Sequence, residues 1–354
     1  MDRFDVIVIG AGQAGLGMGY QLKEAGFEFL IVDDRSRIGD NWRERWDSLE
    51  LFTPRPYAQL PGFGLADTVP DYPNKTHIAD YLEQYRNHFD LPVRGDFRVR
   101  EVFFRDRGFT VSDASDSIAA ATVVIAAGPF STPNVPACAS NLSPSVRQVH
   151  SAAYANPDSI GAGTVLVVGG GNSAAQIAEE LAAAGRQVTI ASNGAIAFAP
   201  KRILGVSLFR FMDLTGFLRA DKDAWVSKYA RPYSDTVIGF GLKKMIKAGT
   251  VRHLPHRVVD CTEREVLFAD GAREAYDNVV WGTGFRPQYD WVKIDGALDD
   301  GAPLQERGVS PVPGLFWLGL PWQSRLNSAL INGVARDTAD LLPHIKAAGR
   351  VAQP

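Results

Sequence analysis

Cysteine is scarce in this chain: only Cys138 and Cys261 occur among its 354 residues. No Cys-x-x-Cys motif exists, so the redox dithiol of a disulfide reductase is missing from the sequence. A disulfide between two distant cysteines is disfavoured in a reducing compartment, although the sequence does not exclude one. The six histidines are scattered and lack metal-ligand spacing. We therefore expect no metal centre.

Long apolar runs and a strong net charge are lacking as well. No run approaches the ~20 apolar residues that span a bilayer, and the formal net charge is −3. Neither feature gives a reason to expect nucleic acid or a membrane as a partner. The sequence opens on an apolar segment that does not resemble a signal peptide, so we expect a cytoplasmic protein.

What the chain does contain is one glycine motif written twice. VIVIGAGQAG occupies residues 6–15, and VLVVGGGNSA occupies residues 165–174. Each is a run of mostly β-branched residues that breaks into Gly-x-Gly-x-x-Gly/Ala and leads into a helix-like stretch. The glycines let the backbone approach a pyrophosphate, and the helix directs unpaired N–H groups at it. Two copies predict two bound dinucleotides, as in a flavoenzyme that a nicotinamide reduces.

The end of the second strand in such a unit contacts the adenosine ribose. Asp33 and Ser192 stand there, each 23 positions after the first glycine of its motif. The Asp33 carboxylate suits ribose hydroxyls and would repel a 2′-phosphate, so the first copy fits FAD or NAD. Ser192 and Asn193 are neutral, which predicts weak discrimination between NADH and NADPH. Lys201 or Arg202 could reach a 2′-phosphate, so the preference stays open.

We assign FAD to the first copy because two-motif flavoenzymes normally bind flavin at the N-terminal one. Gly39 and Trp42, in the segment IGDNW, supply a glycine turn and an indole to flank the flavin ring. Near the C-terminus, Ser328 is a plausible N-cap of a helix whose positive end would face the flavin. The candidate FAD-binding residues are Gly10, Gly12, Gln13, Gly15, Asp33, Gly39, Trp42, Val99, Gly128, Asn327 and Ser328.

The order of elements predicts an α/β fold with two Rossmann-like, three-layer dinucleotide-binding domains. The FAD-binding domain takes residues 1–158 and 284–354, and the NAD(P)H-binding domain, 159–283, is inserted into it. We interpret residues 195–254 as a helical insertion, with a substrate-access lid or a membrane-surface helix as alternatives. The candidate NAD(P)H-binding residues are Gly169, Gly171, Asn172, Ser173, Ala174, Ser192, Asn193, Arg202 and Gly284.

These motifs resemble the flavin-containing monooxygenases, a family of class B flavoprotein monooxygenases, and in particular their short bacterial members. The resemblance covers nearly the whole chain and rests on GAGQAG, IGDNW, VHSAAY, GGGNSA, GTGFRP and the closing GLPWQ and ALINGVARD. It implies that NAD(P)H reduces FAD and that O2 then forms a C4a-(hydro)peroxyflavin. That species would oxygenate a small apolar molecule or soft nucleophile: a sulfide, an amine or, by Baeyer–Villiger oxidation, a ketone. Relatives of this type are often homodimers.

The resemblance implies no acid–base dyad. Its candidate catalytic residues are Phe52, His150 and Tyr154, which would form the flavin and nicotinamide environment. His150 would orient the interdomain link and the nicotinamide, and a purely structural role fits it equally well. The chain departs from the family where Pro144 and Val146 replace a phenylalanine and a glycine before the histidine. Phe52 stands where longer relatives carry an asparagine, and Tyr154 where dedicated Baeyer–Villiger enzymes carry a tryptophan.

Two other functions stay open at this point. One is an NAD(P)H-dependent flavin reductase or dehydrogenase that passes electrons to another acceptor, which the departures before His150 and at Phe52 favour. The other is an inactive flavoprotein that serves as a binding module. Both glycine motifs are intact, which argues against the second alternative because neither is needed merely to fold.

Overall fold

The computed structural model describes residues 2–105, 108–233 and 235–351. In chain order its strands are β1 (Arg3–Ile9), β2 (Phe29–Val32), β3 (Val93–Arg94), β4 (Glu101–Arg105), β5 (Gly108–Ser112), β6 (Ser117–Ile125), β7 (Thr132–Pro133), β8 (Arg147–His150), β9 (Val165–Val168), β10 (Val188–Ala191), β11 (Phe198–Ala199), β12 (Arg202–Ile203), β13 (Val206–Ser207), β14 (Val237–Ile238), β15 (Val251–Leu254), β16 (Val258–Thr262), β17 (Glu265–Phe268), β18 (Arg273–Ala275), β19 (Asn278–Trp281), β20 (Phe285–Arg286), β21 (Leu298–Asp299), β22 (Ala302–Pro303) and β23 (Leu315–Trp317).

The helices lie between these strands, and the longest one ends the described chain. In chain order they are α1 (Gln13–Glu24), α2 (Asp40–Arg43), α3 (Lys75–His88), α4 (Asn172–Ala183), α5 (Leu208–Leu214), α6 (Trp225–Ala230), α7 (Gly241–Ala248) and α8 (Ile331–Val351). None of the helices in this described part of the chain is long and apolar enough to cross a membrane.

The first sheet is built around β1. Its VIVI run is buried, as expected for a parallel strand covered by helices on both faces. Five of its strands pair in parallel, in the order β3, β2, β1, β6, β23. Strand β5 also pairs with β6, antiparallel to it, and β4 pairs antiparallel with β5. Helix α1 packs against α8 and α3.

The second sheet repeats this plan around β9. Its strands run in parallel in the order β15, β10, β9, β19, β8. In both sheets the first strand lies between the strand that follows its helix and a strand from much later in the chain: β2 and β6 flank β1, and β10 and β19 flank β9. The fold is therefore mixed α/β with two parallel sheets. A crevice is expected at the carboxyl end of each central strand, where the strand order reverses.

Two segments differ from the sequence-based expectation. Strand β8 lies within residues 1–158, yet it pairs with β19 of the second sheet. The segment 195–254 is not simply helical, because it contains β11–β14 besides its short helices and ends in β15, the edge strand of the second sheet. The segment interpreted as a helical insertion is thus divided between short helices and short strands.

Candidate functional site

The first glycine motif forms a tight turn between β1 and α1. Gly10 has a φ of +106°, and a Cβ atom there would lie 2.6 Å from the carbonyl oxygen of Ala126, just beyond β6. Only glycine fits this conformation and this close approach. The turn is therefore pressed against the end of the neighbouring parallel strand.

Helix α1 begins with unpaired amides at this turn. The Leu16 amide donates to the Gly12 carbonyl as the first helical hydrogen bond, so the preceding amides, 13–15, have no acceptor within the helix. Above them the space is open, because a Cβ atom on Gly12 would meet only Asn41 Nδ2, at 3.9 Å. Unpaired N–H groups and the positive helix end together make an anion cradle.

Asp33 follows β2 and reaches across to this turn. Its Oδ2 accepts from the Ala11 amide at 2.5 Å, and its Oδ1 accepts from the Arg35 amide at 2.9 Å. Burial raises the pKa of the Asp33 carboxyl, against the lowering effect of these two amides. The side chain is thus fixed in place beside the cradle, where the sequence predicts a ribose contact.

A cleft of about 500 Å³ opens over the cradle. It collects seven of the predicted FAD-binding residues, which are Gly10, Gly12, Gln13, Asp33, Gly39, Val99 and Gly128. Four of the predicted residues, all of them described by the structure, are not part of its lining: Gly15, Trp42, Asn327 and Ser328. Trp42 instead packs against the hydrophobic core, and Gly15 lies beneath the turn, against the Gly10 carbonyl.

Ser328 is not the N-cap of the C-terminal helix, so that prediction is wrong. Helix α8 begins at Ile331, and the Ser328 hydroxyl accepts from the amides of Ser324 and Arg325, both at 3.1 Å. The serine stabilises the loop before the helix, a role that its position in the sequence does not indicate. The start of α8 nevertheless reaches the first cleft, because Ala329 and Val334 line it.

Arg45 is the main residue of this cleft that the sequence did not single out. It lines the cleft, its Nε donates to the Asn41 carbonyl at 3.2 Å, and its guanidinium lies 5.3 Å from the centre of the Phe285 ring. Burial lowers the pKa of Arg45, although a guanidinium stays charged at neutral pH. No regular spacing marks a single arginine as a cleft residue, so only the structure could find it.

The second glycine motif repeats the first in detail. Gly169 has a φ of +142°, and a Cβ atom there would lie 2.2 Å from the carbonyl oxygen of Gly282, just beyond β19. The Ala175 amide donates to Gly171 as the first helical bond of α4, so the amides 172–174 have no helical acceptor. No atom lies within 4 Å of a Cβ position on Gly171. This cradle is also open to an anion.

Several side chains around the second cradle are already engaged. Asn172 donates to the Thr236 carbonyl and accepts from the Ile238 amide, which ties α4 to β14. The buried Ser192 hydroxyl donates to the Gly194 carbonyl at 2.7 Å and lies 2.8 Å from Nε2 of His253. Asn193 is exposed. Ser192 and Asn193 are the two residues predicted to contact the ribose. Of these, only Asn193 has a side chain without a partner among the described residues.

Both cations considered for a 2′-phosphate instead pair with carboxylates from the first third of the chain. Lys201 Nζ lies 2.6 Å from Glu50, and Arg202 lies 2.8 Å from Asp71. Gln176 of α4 adds a hydrogen bond from its Nε2 to the Glu50 carbonyl, at 3.0 Å. These contacts connect the two halves of the molecule, and each of the two cations has a carboxylate partner.

His150, at the end of β8, is bonded to the segment that follows the neighbouring strand β19. Its Nδ1 accepts from the Ala152 amide at 3.1 Å, so the proton lies on Nε2, which donates to the Gly284 carbonyl at 2.9 Å. Burial lowers the pKa of His150, which favours this neutral form. Two of the predicted site residues, His150 and Gly284, are therefore bonded to each other.

Tyr154 and Phe52 lie away from the first cleft. The Tyr154 side chain is fully buried, and its hydroxyl donates to Glu180 of α4 at 2.8 Å. Phe52 stacks on Phe209 with ring centres 6.2 Å apart, and Phe209 also contacts Tyr57 at 5.9 Å. Neither residue lines the first cleft. Tyr154 fastens the interdomain link to α4, and Phe52 packs against the 195–254 segment.

A second cleft, of about 340 Å³, lies between the first part of the chain and that segment. Its lining combines two prolines and two tyrosines with three charged side chains, and comprises Pro54, Pro56, Tyr57, Asp71, Tyr72, Arg202, Gly205, Val206, Ser207 and Arg210. Across residues 2–105, 108–233 and 235–351, no three histidine, cysteine or acidic side chains are grouped to hold a metal ion.

Comparison with known proteins identifies the family. A family model described as pyridine nucleotide-disulphide oxidoreductase matches residues 7–204. An oxidoreductase of Geobacillus kaustophilus named CzcO-like is 42% identical over 342 residues, which cover 96% of this chain and 98% of that protein. An indole-3-pyruvate monooxygenase of Oryza sativa is 24% identical over 91% of this chain and 88% of its own length.

Solved structures extend the likeness. A flavin-containing monooxygenase from Stenotrophomonas maltophilia has a TM-score of 0.82 and 27% identity, covering 98% of this chain and 99% of its own. A steroid monooxygenase bound to NADP shares the fold, with a TM-score of 0.68 and 18% identity over 99% of this chain and 85% of its own. The resemblance inferred from the motifs is thereby confirmed. The chain belongs to the pyridine nucleotide-disulphide oxidoreductase family, and its fold is similar to that of a flavin-containing monooxygenase.

Proposed function

We propose that this protein is an FAD-dependent monooxygenase that uses NADPH or NADH and O2 to oxygenate a small organic molecule. The observation that supports the proposal is the matching geometry of the two glycine turns. Gly10 and Gly169 each press against a carbonyl beyond the neighbouring parallel strand, and each turn leads into an open helix N-terminus. Two such cradles fit two dinucleotides, which an oxidoreductase of this family needs to pass electrons from nicotinamide to flavin.

In this proposal the two parallel sheets are two Rossmann-like dinucleotide-binding domains. Residues 1–158 and 284–354 form the FAD-binding domain and residues 159–283 the inserted nicotinamide domain, with β8 contributed across the boundary to the second sheet. Asp33 supports FAD in the first cleft, since its fixed carboxylate suits ribose hydroxyls and FAD carries no 2′-phosphate. The steroid monooxygenase that shares this fold is bound to NADP, which supports NADPH in the second domain.

The second cradle supports weak discrimination between NADPH and NADH. Ser192 is occupied by Gly194 and His253, and Arg202 is paired with Asp71, so neither supplies a dedicated charge for a 2′-phosphate. Asn193 is neutral and exposed, and it would accept either a hydroxyl or a phosphate. We therefore propose that both cofactors reduce the enzyme.

Bound FAD would supply the hydride acceptor and the site of oxygen activation. The chain's own residues bind and orient. The amides 13–15 would face the pyrophosphate, and Arg45 adds a partly buried positive charge to the wall of the cleft. The start of α8, marked by Ala329 and Val334, brings a positive helix end to the same cleft, where it would stabilise negative charge.

The second cleft is the proposed approach for substrate. Its walls of Pro54, Pro56, Tyr57 and Tyr72 offer apolar and aromatic surface to an organic molecule. The stacked rings of Phe52 and Phe209 continue this surface beside Tyr57. Such a lining suits sulfides, amines or ketones with an apolar body.

A flavin reductase or dehydrogenase is the second candidate. Phe52 favours it, because this residue stands where longer members of the resembled family carry an asparagine, and its ring is packed on Phe209. In that case reduced flavin would return electrons to O2 as hydrogen peroxide or pass them to another acceptor.

The test measures where the electrons of NADPH go. The purified protein is first expected to carry a yellow cofactor that is released as FAD on denaturation. With a thioether or a simple ketone under air, a monooxygenase forms oxygenated product in proportion to the NADPH consumed. Stoichiometric hydrogen peroxide without product would identify the reductase instead. A colourless protein that does not bind added FAD would overturn both.

A further inference from the structure

The two cysteines of the chain meet in the folded protein. Cys138 and Cys261 are 123 positions apart in sequence, and their Sγ atoms lie 3.3 Å from each other. Both are free thiols, and the sequence contains no other cysteine. Any thiol–disulfide chemistry within one molecule is therefore confined to this pair.

The backbone on both sides of the pair is fixed by hydrogen bonds. Cys138 lies in the 3-10 turn Ala137–Asn141, and Cys261 lies in β16. The Glu263 amide donates to the Asn141 carbonyl at 3.0 Å, and the Ser143 amide donates to the Glu263 carbonyl at 2.6 Å. These bonds hold the turn against the end of β16. The two sulfur atoms are thus brought together by the fold and not by loose side chains.

The two thiols differ in access. Cys261 is 1% exposed and packs among buried apolar side chains, including Val266 and Phe268. Burial raises the pKa of the Cys261 thiol. Cys138 is only partly buried, so it is the more accessible of the two thiols. This asymmetry divides the roles: Cys138 is the sulfur that an oxidant meets first, and Cys261 is the partner held behind it.

The pair is separate from the proposed dinucleotide chemistry. Neither cysteine lines the first cleft or the second. A thiol pair that took electrons from flavin would have to face the flavin cleft. The Cys138–Cys261 pair therefore does not act as the redox dithiol of a disulfide reductase.

We propose that Cys138 and Cys261 are a site of oxidative modification, at which hydrogen peroxide or an organic hydroperoxide links the two sulfurs as an intramolecular disulfide. The Cys138 sulfur attacks one peroxide oxygen and breaks the O–O bond, which leaves a sulfenic acid on Cys138 and releases water. The Cys261 sulfur then attacks the Cys138 sulfur and expels the hydroxyl group, which leaves as water with the Cys261 proton. Two thiols and one hydrogen peroxide thus give one disulfide and two waters, and two electrons pass from sulfur to peroxide.

The new bond would enclose most of the second sheet. The loop from 138 to 261 contains β8, β9, β10 and β15 together with the second glycine turn. Closing so long a loop restricts the unfolded chain strongly, so the oxidised protein should resist unfolding better than the reduced one. An oxygen-using enzyme that leaks peroxide would gain from this, but the proposal itself needs only added peroxide.

The experiment treats the full-length protein with hydrogen peroxide and follows the thiols. We expect two titratable thiols in the denatured, reduced protein and none after oxidation, with a peptide map that joins the Cys138 and Cys261 peptides within one chain. The melting temperature should rise by roughly 5–10 °C and return on treatment with dithiothreitol.

The Cys138→Ser variant is the matched control, because its side chain is only partly buried and the substitution is nearly isosteric. It should fold, retain one thiol and show no peroxide-dependent rise in melting temperature. Cys261→Ser tests the same point from the buried side, and the wild-type peptide map decides the question if that variant does not fold. A sulfenic or sulfinic acid on Cys138 with Cys261 still titrating, or a disulfide between two chains, would overturn the proposal.

Discussion

His150 donates from Nε2 to the carbonyl oxygen of Gly284 over 2.9 Å, and this bond joins two segments that lie 134 positions apart. His150 ends β8, and Gly284 follows β19, so the bond joins the ends of two neighbouring strands of the second sheet. The same ring packs edge-on against Phe285, with centres 5.1 Å apart. The histidine therefore holds the segment after β19 through a neutral ring.

The protonation of His150 makes stability depend on pH. Burial lowers its pKa in the folded protein below the ordinary 6.5, so the unfolded chain binds this proton more readily. Its contribution is complete above the ordinary value and is lost as the pH falls through the folded value. We expect His150→Gln, which retains a donor for Gly284, to lose less stability than the wild type between about pH 7.5 and about pH 5.5. Urea denaturation of both proteins at the two pH values measures the difference, and equal losses would contradict the assignment.

Asp33 should contribute strongly to flavin binding. Asp33→Asn removes the charge and gives up one of the two acceptors that meet the Ala11 and Arg35 amides. A hydrogen bond to a charged group is worth about 1.5–3 kcal/mol, so FAD affinity should fall by roughly 10- to 100-fold. Fluorescence titration of the apoprotein with FAD gives the affinity. The exposed Asp300→Asn serves as control, since asparagine tolerates its φ of +46° and no change is expected there.

The two glycine cradles offer a reciprocal test. Gly12→Ala and Gly171→Ala each place a methyl group where the protein itself has no atom closer than 3.9 Å, so both variants should fold. The methyl would instead meet a bound pyrophosphate. We expect Gly12→Ala to lose FAD and keep nicotinamide binding, and Gly171→Ala to keep FAD while the KM for NADPH rises about tenfold or more, a cost of about 1.4 kcal/mol. Each variant is the control for the other. Loss of both cofactors in either variant would contradict the assignment of FAD to the first glycine turn and the nicotinamide to the second.

Tyr154 should matter for stability and not for turnover. Its buried hydroxyl donates to Glu180, so Tyr154→Phe leaves a carboxylate oxygen without this donor. We expect the free energy of unfolding to fall by about 1–2 kcal/mol, with kcat and KM unchanged. The exposed Tyr229→Phe is the control and should change stability by less than about 0.5 kcal/mol. A reduced kcat with normal stability would instead support a role for Tyr154 in the nicotinamide environment.

The parts of the site that could be predicted are those in which one short segment determines its own conformation. A buried β-branched strand, a glycine turn and the start of a helix are encoded within ten residues, which is why both cradles could be inferred. Asp33 lies beside the first cradle because it follows the next strand, at the spacing from which the sequence placed it there. The cleft then collects Gly39, Val99 and Gly128 as well.

What the sequence could not show is which partner each polar side chain meets in the folded protein. Arg202 is considered for a phosphate, and the fold brings Asp71 to it, 131 positions away. Ser328 has the chemistry of a helix cap and instead stabilises the loop at Ser324 and Arg325. Spacing along a chain reports the availability of a polar group, and only the tertiary structure decides which partner takes it.

The ion pairs Lys201–Glu50 and Arg202–Asp71 have a consequence for the second cleft, because Arg202 and Asp71 both border it. All four side chains are between 42% and 67% exposed. Pairs of this kind contribute at most about 1 kcal/mol each and weaken as dissolved ions screen them. We therefore expect the width of the second cleft, the proposed approach for substrate, to depend on ionic strength, whereas the uncharged close approach of Gly10 to Ala126 in the first glycine turn should not.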